Sequence, residues 1–568
     1  MKVQEQQVPW YVADFETTSY RYYEEYGYTK VWLYSIANRN ADIVTDGDNI
    51  DDFMEWCEGH PSCLLYFHNL RFDGTFIISW LLHNDYPWVE KTTKHSKKSF
   101  TTLIGDMGEY YQIKINFAPN KQIVIQDSLK IIPLKVKEIA KAFKLPIEKG
   151  KIDYDDYTID DKKLSYVHRD VQIVAMALKF FRDQGFYRMT IGSNAYHQFI
   201  DETLNVKAMF PRLDIEWLNE WREAYRGGRS QVNPKYANQI VHNVHRFDIN
   251  SMYPYVMSYM PMPYGHPIES EYVGRFEFEI YKVEISFTLK HGHLPTLLKT
   301  SSLYNKVGDT YYTNTDGIEI LYLTSPDYQL LLRHYDIHYI HFVKIYGFKT
   351  SKTIFRDWIA KNYKLKSESE GGLRLVYKLK INNLYGKFGS RPKGRNKIPT
   401  LNDDGSLKFV LSEEVEHGIY YLPVALAVVS WAHVLIDDAI METGYDNFIY
   451  CDTDSVHTIG MLPQDWIDDS EIGKFKLEAT EITAKYIRQK TYIHKDNDKK
   501  EWDICCAGMP DSIKDYLNRE YKDKVIDIFK VGLNVTSESP NITFDDMRLR
   551  PKQVNGGTVL QPIPFSIR

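Results

Sequence analysis

Apolar positions in the first 70 residues come in short β-prone runs separated by polar breaks. Residues 9–17 and 31–37 read as strands, Asp51–Trp56 as a helical turn and Cys63–His68 as a further strand. This alternation predicts an α/β first domain over residues 1–186. Further on, Gly227-Gly228 marks a loop, His245–Ile249 reads as a strand, and Pro254 belongs in a turn or a first helical turn. Strand-rich sequence fills about 275–350. Residues 353–385 read as helical apart from a break at Ser367–Gly372, and Ser390–Asn396 is a polar, basic loop. Leu422–Ile440 reads as a buried helix. Phe448–Tyr450 and Val456–Ile459 flank Cys-Asp-Thr-Asp-Ser, the pattern of a hairpin with acids at its tip, and Val554–Thr558 suggests a final hairpin.

Composition sharpens this picture. A chain of 568 residues exceeds one hydrophobic core, so three or more subdomains are expected. No run of about 18 apolar residues stands out, and the opening MKVQEQQVPWYVADFETT lacks the apolar core of a leader, so the expectation is a soluble, cytoplasmic chain without membrane contact. The five cysteines, Cys57, Cys63, Cys451, Cys505 and Cys506, form neither a disulfide framework nor two Cys-x-x-Cys pairs. The formal net charge of −6 argues against a nucleic-acid protein on average. Between Lys361 and Lys397, however, eleven basic residues face two acidic ones, interleaved with Tyr363, Tyr377, Tyr385 and Phe388. A charge run alone is usually a solvated helix face, so its meaning depends on the chemistry nearby.

That chemistry is carboxylate. In YVADFETT, Asp14 and Glu16 are two apart on a strand and therefore share a face, where they can share a metal. Asp73, in YFHNLRFDGTF, and Asp170, in SYVHRDVQIV, add two acids, with Tyr166 one helical turn before Asp170. Phosphodiester hydrolysis with two oxygen-seeking cations about 4 Å apart needs such a set, and Mg²⁺ or Mn²⁺ suits it. The C-terminal two-thirds holds a second set, Asp248 in FDINSMYP with Asp452 and Asp454 in YCDTDS, which two cations carrying a nucleoside triphosphate could bridge. Arg374, Lys378, Ile381 and Tyr385 fall along one helical stripe, which predicts a cationic, aromatic face toward those acids. Tyr253, five residues after Asp248, is placed to lie under a sugar, although a buried structural tyrosine is the commoner outcome.

The first set resembles the Asp-Glu-Asp-Asp-Tyr proofreading exonucleases, with Asp14-Phe15-Glu16-Thr17, Asn69 to Asp73 and Tyr166 to Asp170 standing at their three motifs. In the second, DINSMYP resembles Dx₂SLYP, KLKINNLYG resembles Kx₃NSLYG, YCDTDS resembles YxDTDS, and Lys490-Thr491-Tyr492 resembles KxY. These are motifs of the family B DNA polymerases. Tyr225-Arg226-Gly227-Gly228 is similar to their YxGG loop, and the compact length points to the protein-primed phage subgroup. Met252 and Asn383 depart from the usual Leu and Ser without touching a ligand position.

The resemblance implies an N-terminal RNase H-like 3′-5′ exonuclease domain (1–186) and a right-hand polymerase of mixed α/β and α+β character. Its palm would span 187–259 and 421–522, its fingers 354–389 and its thumb 523–568, with insertions at 260–353 and 390–420. It implies metal ligation by Asp14, Glu16 and Asp170 and by Asp248, Asp454 and the Ile249 carbonyl, two Mg²⁺ per site, with Asp73, Tyr166 and Asp452 in support. Tyr253, Lys366, Lys378 and Tyr385 would hold the nucleotide. Thr17, His68, Asn69, Phe72, Lys149, Tyr225, Gly227, Gly228, Lys490 and Tyr492 would hold or serve DNA. Partners implied are primer–template DNA, a single-stranded 3′ end, deoxynucleoside triphosphates and a terminal protein, for a monomeric enzyme. The alternatives are a polymerase primed by DNA or RNA, an exonuclease with a degenerate polymerase half, and a non-catalytic DNA-binding replication factor.

Overall fold

The computed structural model describes residues 8–92, 96–150, 152–299, 310–418, 420–496 and 499–568. The first seven residues, part of the segment read above for a leader, lie outside the described residues.

Seven strands form the N-terminal sheet: β1 (Trp10–Thr17), β2 (Val31–Asn38), β3 (Ile43–Gly47), β4 (Cys63–Phe67), β5 (Ser99–Ile104), β6 (Tyr110–Ala118) and β7 (Lys121–Asp127), in the order β3-β2-β1-β4-β7-β6-β5. The centre is parallel, β1 with β4 and β4 with β7, and the flanks are antiparallel. Parallel strands need cover on both faces, and both faces are covered. Phe53, Phe76 and Ile77 pack against Phe15 and Phe67 on one side, while Val171, Val174 and Leu178 pack toward Trp10 and Tyr66 on the other. The helix Asp161–Asp183 begins at Asp160, whose side chain caps Lys163 N at 2.8 Å. The helical turn expected at Asp51–Trp56 is a full helix, Ile50–Gly59.

A second seven-stranded sheet joins distant parts of the chain. It runs Asp503–Cys506, Thr491–Lys495, Phe475–Arg488, β9 (Ile240–Ile249), Ser455–Thr458, Phe448–Asp452 and β8 (Ser230–Val232). The helix Leu422–Thr443 packs against this sheet, sharing a core with Phe247, Ile249, Cys451 and Val456. By length and composition this helix is apolar enough to cross a membrane, but Ser430, His433, Asp437 and Asp438 interrupt its apolar run and 16 of its 22 residues are buried in the core. Each buried Leu, Val or Ile contributes about 1.5–3 kcal/mol, so this helix is a principal source of the domain's stability.

Between the two halves of that sheet, Met262–Glu269, Tyr335–Ser351, Phe278–Leu289 and Glu319–Thr324 form a four-stranded sheet in that order, with the helix Ser325–His334 against it. Helices Arg356–Glu368 and Gly371–Phe388 follow, and the break between them is only Ser369–Glu370. Gly371 takes φ +54°, and a Cβ on Gly372 would fall 2.1 Å from the Phe143 ring, so two glycines let the second helix start against the first domain. The chain ends in the expected hairpin, Arg548–Val554 with Gly557–Ile563. It docks on the first domain through Thr29 N to Asn555 O at 2.9 Å and the Thr75 and Thr558 hydroxyls at 2.9 Å.

Candidate active sites

Asp14 and Glu16 project from β1, Asp73 from the first turn of the helix Leu70–His83, and Asp170 from the middle of the helix Asp161–Asp183. One carboxylate oxygen each from Asp14, Glu16 and Asp170 lie within 4.8 Å of one another. Glu16, Asp73 and Asp170 are buried, and burial pushes all four carboxyls up, Asp14 to about 7. Repulsion from Asp170 adds to the rise at Asp14, and repulsion from Asp14 to that at Glu16 and Asp73. Lys149 pairs with Asp170 and stands 5.1 Å over the Tyr166 ring. Burial disfavours its ammonium, but Asp170 and Asp14 hold it charged. One lysine against four acids leaves a cationic deficit. Asp170 Oδ1 is also buried without a hydrogen-bond partner in the described structure. An all-oxygen donor set of this charge fits a hard divalent cation.

These acids open into a cavity of about 760 Å³ also lined by His68, Asn69, Phe72, Tyr154 and Tyr166. Tyr166 OH lies 3.2 Å from Tyr154 OH, and burial followed by Glu16 pushes its phenol up, which keeps the proton on. Asn69 takes φ +74°, and its backbone N donates to Asp127 Oδ1 at 3.0 Å. His68 has both ring nitrogens committed to protein, Nε2 2.7 Å from the Leu134 carbonyl and Nδ1 2.9 Å from Ser128 Oγ, and burial pulls it down to about 4. It is therefore neutral, with only its ring edge left for a ligand. Thr17 does not line this cavity; it lines an adjoining one of about 740 Å³ that shares Phe15, Glu16, Phe72, Tyr154 and Leu560 with the first. Sequence reasoning missed Tyr154 and Asp127. It also missed the distant walls, Lys397, Phe409 and the hairpin residues Pro551, Gln553, Thr558 and Leu560. Those walls carry no local signal, because only the fold brings them there.

The second set gathers where three strands meet. Asp248, near the end of β9, lies opposite Ser455, and Asp452 opposite both Ser455 and Ser230. Ile249 N donates to Asp454 O at 2.8 Å, which ties the acid-bearing segments together. Burial pushes Asp248 up to about 7, with Asp454 and then Glu478 adding repulsion, and burial also raises Asp454. Glu478 is a further acid beside this site that sequence reasoning missed; it falls at a register shift between Leu477 and Ala479. Lys490 Nζ lies 2.7 and 3.0 Å from the two oxygens of Asp452. Tyr492 stacks on Tyr486 at 5.4 Å and lies tilted against Tyr450 at 5.0 Å. In this structure Lys490 is thus spent on Asp452, and Tyr492 is packed among aromatic rings.

Cations face these acids. Lys366 Nζ donates to Ser251 Oγ at 3.1 Å, in the left-handed turn that follows Asp248. Burial, then Arg374 and Lys378, pull its ammonium down to about 8, so the three cations converge there. The stripe expected on the helix Gly371–Phe388 is only partly realised. Arg374 and Lys378 are exposed and Tyr385 half-buried, but Ile381 is fully buried, because the helix runs from the cleft into the core. Tyr385 lies against Tyr253, ring centroids 4.3 Å apart. Burial and then Tyr385 push the neighbouring Tyr225 up to about 12. A Cβ on Gly228 would meet Thr453 Oγ1 at 2.7 Å, so the Gly-Gly loop is small because the acid turn rests on it. Gly227 has open space around its Cα, and its carbonyl lies 2.8 Å from His433 Nε2.

Two carboxylate sites on separate sheets, one in the N-terminal domain and one at an acid-tipped hairpin with Lys366, Arg374 and Lys378 beside it, fit a metal-dependent polymerase of the right-hand class with an exonuclease domain. Residues 62–157 and 154–473 match the family model for DNA polymerase type B, organellar and viral. The chain is 34% identical to the DNA polymerase of Bacillus phage Nf and 35% identical to that of Bacillus phage phi29, each over 98% of this chain and 99% of the relative. It is 32% identical to that of Streptococcus phage Cp-1 over 98% of both. A solved structure of phi29 DNA polymerase with primer–template DNA and incoming nucleotide superposes with a TM-score of 0.88, at 34% identity, over 99% of this chain and all of that one. The chain therefore belongs to the organellar and viral type B DNA polymerases, among the phi29-like phage enzymes, and it is a template-directed DNA polymerase.

Proposed function

We propose that this polymerase extends a primer 3′ end at the palm and removes misincorporated 3′ nucleotides at the N-terminal site. The observation that carries this reading is the presence of two acid clusters, each with its own cations, on two separate sheets. Asp14, Glu16 and Asp170 would hold metal at the exonuclease site, with Asp73 beside them. Asp248, Asp454 and the Ile249 carbonyl would hold it at the palm. When bound, two Mg²⁺ ions per site, with Mn²⁺ as the alternative, supply the positive charge that activates the attacking oxygen and steadies the leaving one.

The chain's own residues do the rest. Lys366, Arg374 and Lys378 neutralise the triphosphate, and Tyr253 with Tyr385 forms the aromatic floor under the incoming nucleotide. Asp452, held by Lys490, supports the turn, and Tyr492 backs it; on primer binding Lys490 and Tyr492 would hold the primer end. At the exonuclease site Lys149 orients Asp170, and Tyr166 offers a protonated phenol to the scissile phosphate. Asn69, Phe72 and Thr17 would hold the single-stranded 3′ end, Phe72 by stacking, and His68 would act through its ring edge. Tyr225, Gly227 and Gly228 would contact DNA between the two sites.

A cavity of about 800 Å³ lined by Arg188, Lys387, Arg391, Lys393 and Arg395 supports a route for single-stranded template, and with it strand displacement. Initiation from a hydroxyl of a terminal protein, in the host cytoplasm and by a monomer, is supported by the membership of the phage family alone and by no feature of this site. Residues 1–186, 187–259, 260–353, 354–389, 390–420, 421–522 and 523–568 would be exonuclease, palm, first insertion, fingers, second insertion, palm and thumb. The deciding experiment incubates purified enzyme with Mg²⁺ and a hydroxyl-bearing protein primer or a DNA primer on the same template. Labelled deoxynucleotide joined only to DNA would refute protein priming while leaving the polymerase reading intact.

A further inference from the structure

Either side of Gly227-Gly228 stands an arginine, and both are buried. Arg226 donates to the Leu298 and Tyr322 carbonyls at 2.8 and 2.9 Å and pairs with Asp327 at 3.2 Å. Arg229, 1% exposed, gives Nη1 to Asp437 Oδ1 at 2.9 Å and its remaining nitrogens to Gln231 Oε1. Asp437 is 0% exposed on the helix Leu422–Thr443. Its second oxygen lies 2.9 Å from His334 Nε2 and 3.3 Å from Arg333 Nη1, both on the helix Ser325–His334. Burial disfavours the Asp437 carboxylate, but His334 and Arg229 outweigh it and hold the carboxyl down at about 2.

The backbone of Arg229 leads directly to the palm acids. Its carbonyl accepts from Thr453 N at 2.7 Å, and Thr453, between Asp452 and Asp454, takes φ +60°. The next residue, Ser230, pairs in register with Asp452. A non-glycine residue in the left-handed region persists only where its surroundings hold it there. Here the Arg229 carbonyl holds Thr453 together with two bonds inside the turn, Thr453 Oγ1 to Asp452 Oδ1 at 3.2 Å and Asp454 N to Asp452 O at 2.8 Å, and the Arg229 side chain is locked to Asp437.

We infer that Arg229 and Asp437, neither of which touches substrate, are positioning residues for polymerisation: their buried ion pair fixes the carbonyl that sets the Asp452–Asp454 turn. The inference rests on the reading of Asp452 and Asp454 as the polymerase acids. Removing one partner leaves a buried charge that must find water or another group, and β8 moves with it. Removing both in favour of apolar side chains of similar volume takes away the buried pair, while Arg333 keeps Asp438 at 2.6 Å and His334 keeps the Tyr445 hydroxyl at 3.0 Å.

The test compares Asp437→Asn, the double variant Arg229→Met with Asp437→Leu, and Asp454→Ala, by single-nucleotide incorporation and by degradation of a single-stranded 3′ end. For Asp437→Asn the expected result is a fall in kcat of incorporation of about tenfold or more. The KM for nucleotide should stay within about twofold, because Lys366, Arg374 and Lys378 are untouched, and degradation should stay within about twofold. The double variant should recover most of the lost kcat. An Asp437→Asn enzyme with unchanged kcat would overturn the inference. So would equal losses in both activities, which would mark a general folding role, or a double variant no better than the single. If Asp454→Ala itself still extends primers, the reading of the palm acids fails instead.

Discussion

At the N-terminal site four carboxylates line a cavity in which Lys149 is paired with Asp170 and Arg71 and Lys397 stand on the walls, whereas the palm acids feel Lys378, which stands with Lys366 and Arg374. Burial raises carboxyl groups in both places, Asp14 and Asp248 each to about 7, with like-charge repulsion adding to both. The difference suits the roles proposed for the two sites. A site that hydrolyses a 3′ end takes hold of one phosphodiester, so acids and cavity suffice. A polymerase site also takes in a triphosphate, whose charge calls for cations beside the acids.

The comparison breaks most sharply at Gly228. Gly228→Ala puts a Cβ 2.7 Å from Thr453 Oγ1 and should lower primer extension about 100-fold, a loss of about 2.7 kcal/mol in transition-state stabilisation, while leaving 3′-end degradation intact. Steady-state assays of both activities check this, and an equal loss in both would show that the sites are not independent. Lys149→Ala should do the reverse, lowering degradation about 10- to 100-fold as expected for a group that orients a ligand, with extension unchanged. Lys366→Met should act on the palm alone and through binding, raising the KM for deoxynucleotides about tenfold; a fall in kcat at constant KM would contradict the assignment.

The smallest effect is on stability. Because the Asp14 carboxyl is raised to about 7, the folded metal-free protein holds more protons than the unfolded chain between the ordinary carboxylate range near pH 4 and pH 7. Unfolding free energy therefore falls as pH rises through that window. Thermal melting in chelator from pH 5 to 7.5 should show a declining Tm, and Asp14→Asn should flatten the decline. A Tm that rises over this range would contradict the account.

Much of both sites was legible because their residues are local in sequence. Asp14 and Glu16 announce themselves by strand spacing, Tyr166 and Asp170 by helical spacing, and Asp452 and Asp454 by their place between two apolar runs. What was not legible depends on long-range packing. Ile381 fits the stripe of Arg374 and Lys378 by periodicity, but periodicity cannot show that the helix dives into the core halfway along. Leu560 walls a cavity around Asp14 only because Gly556 lets the hairpin tip approach Thr29, where a Cβ would sit 2.0 Å from the Thr29 carbonyl oxygen. His68 looked free for DNA, and only the structure shows both nitrogens taken.

The central claim is that one chain holds two independent acid sites. A 5′-labelled primer–template with Mg²⁺, run with and without the four deoxynucleotides, tests it on the wild type, on Asp14→Ala with Glu16→Ala, and on Asp454→Ala. The wild type should extend the primer with nucleotides and shorten it without them, the first variant should only extend it and the second should only shorten it. Loss of both activities in either variant would contradict it.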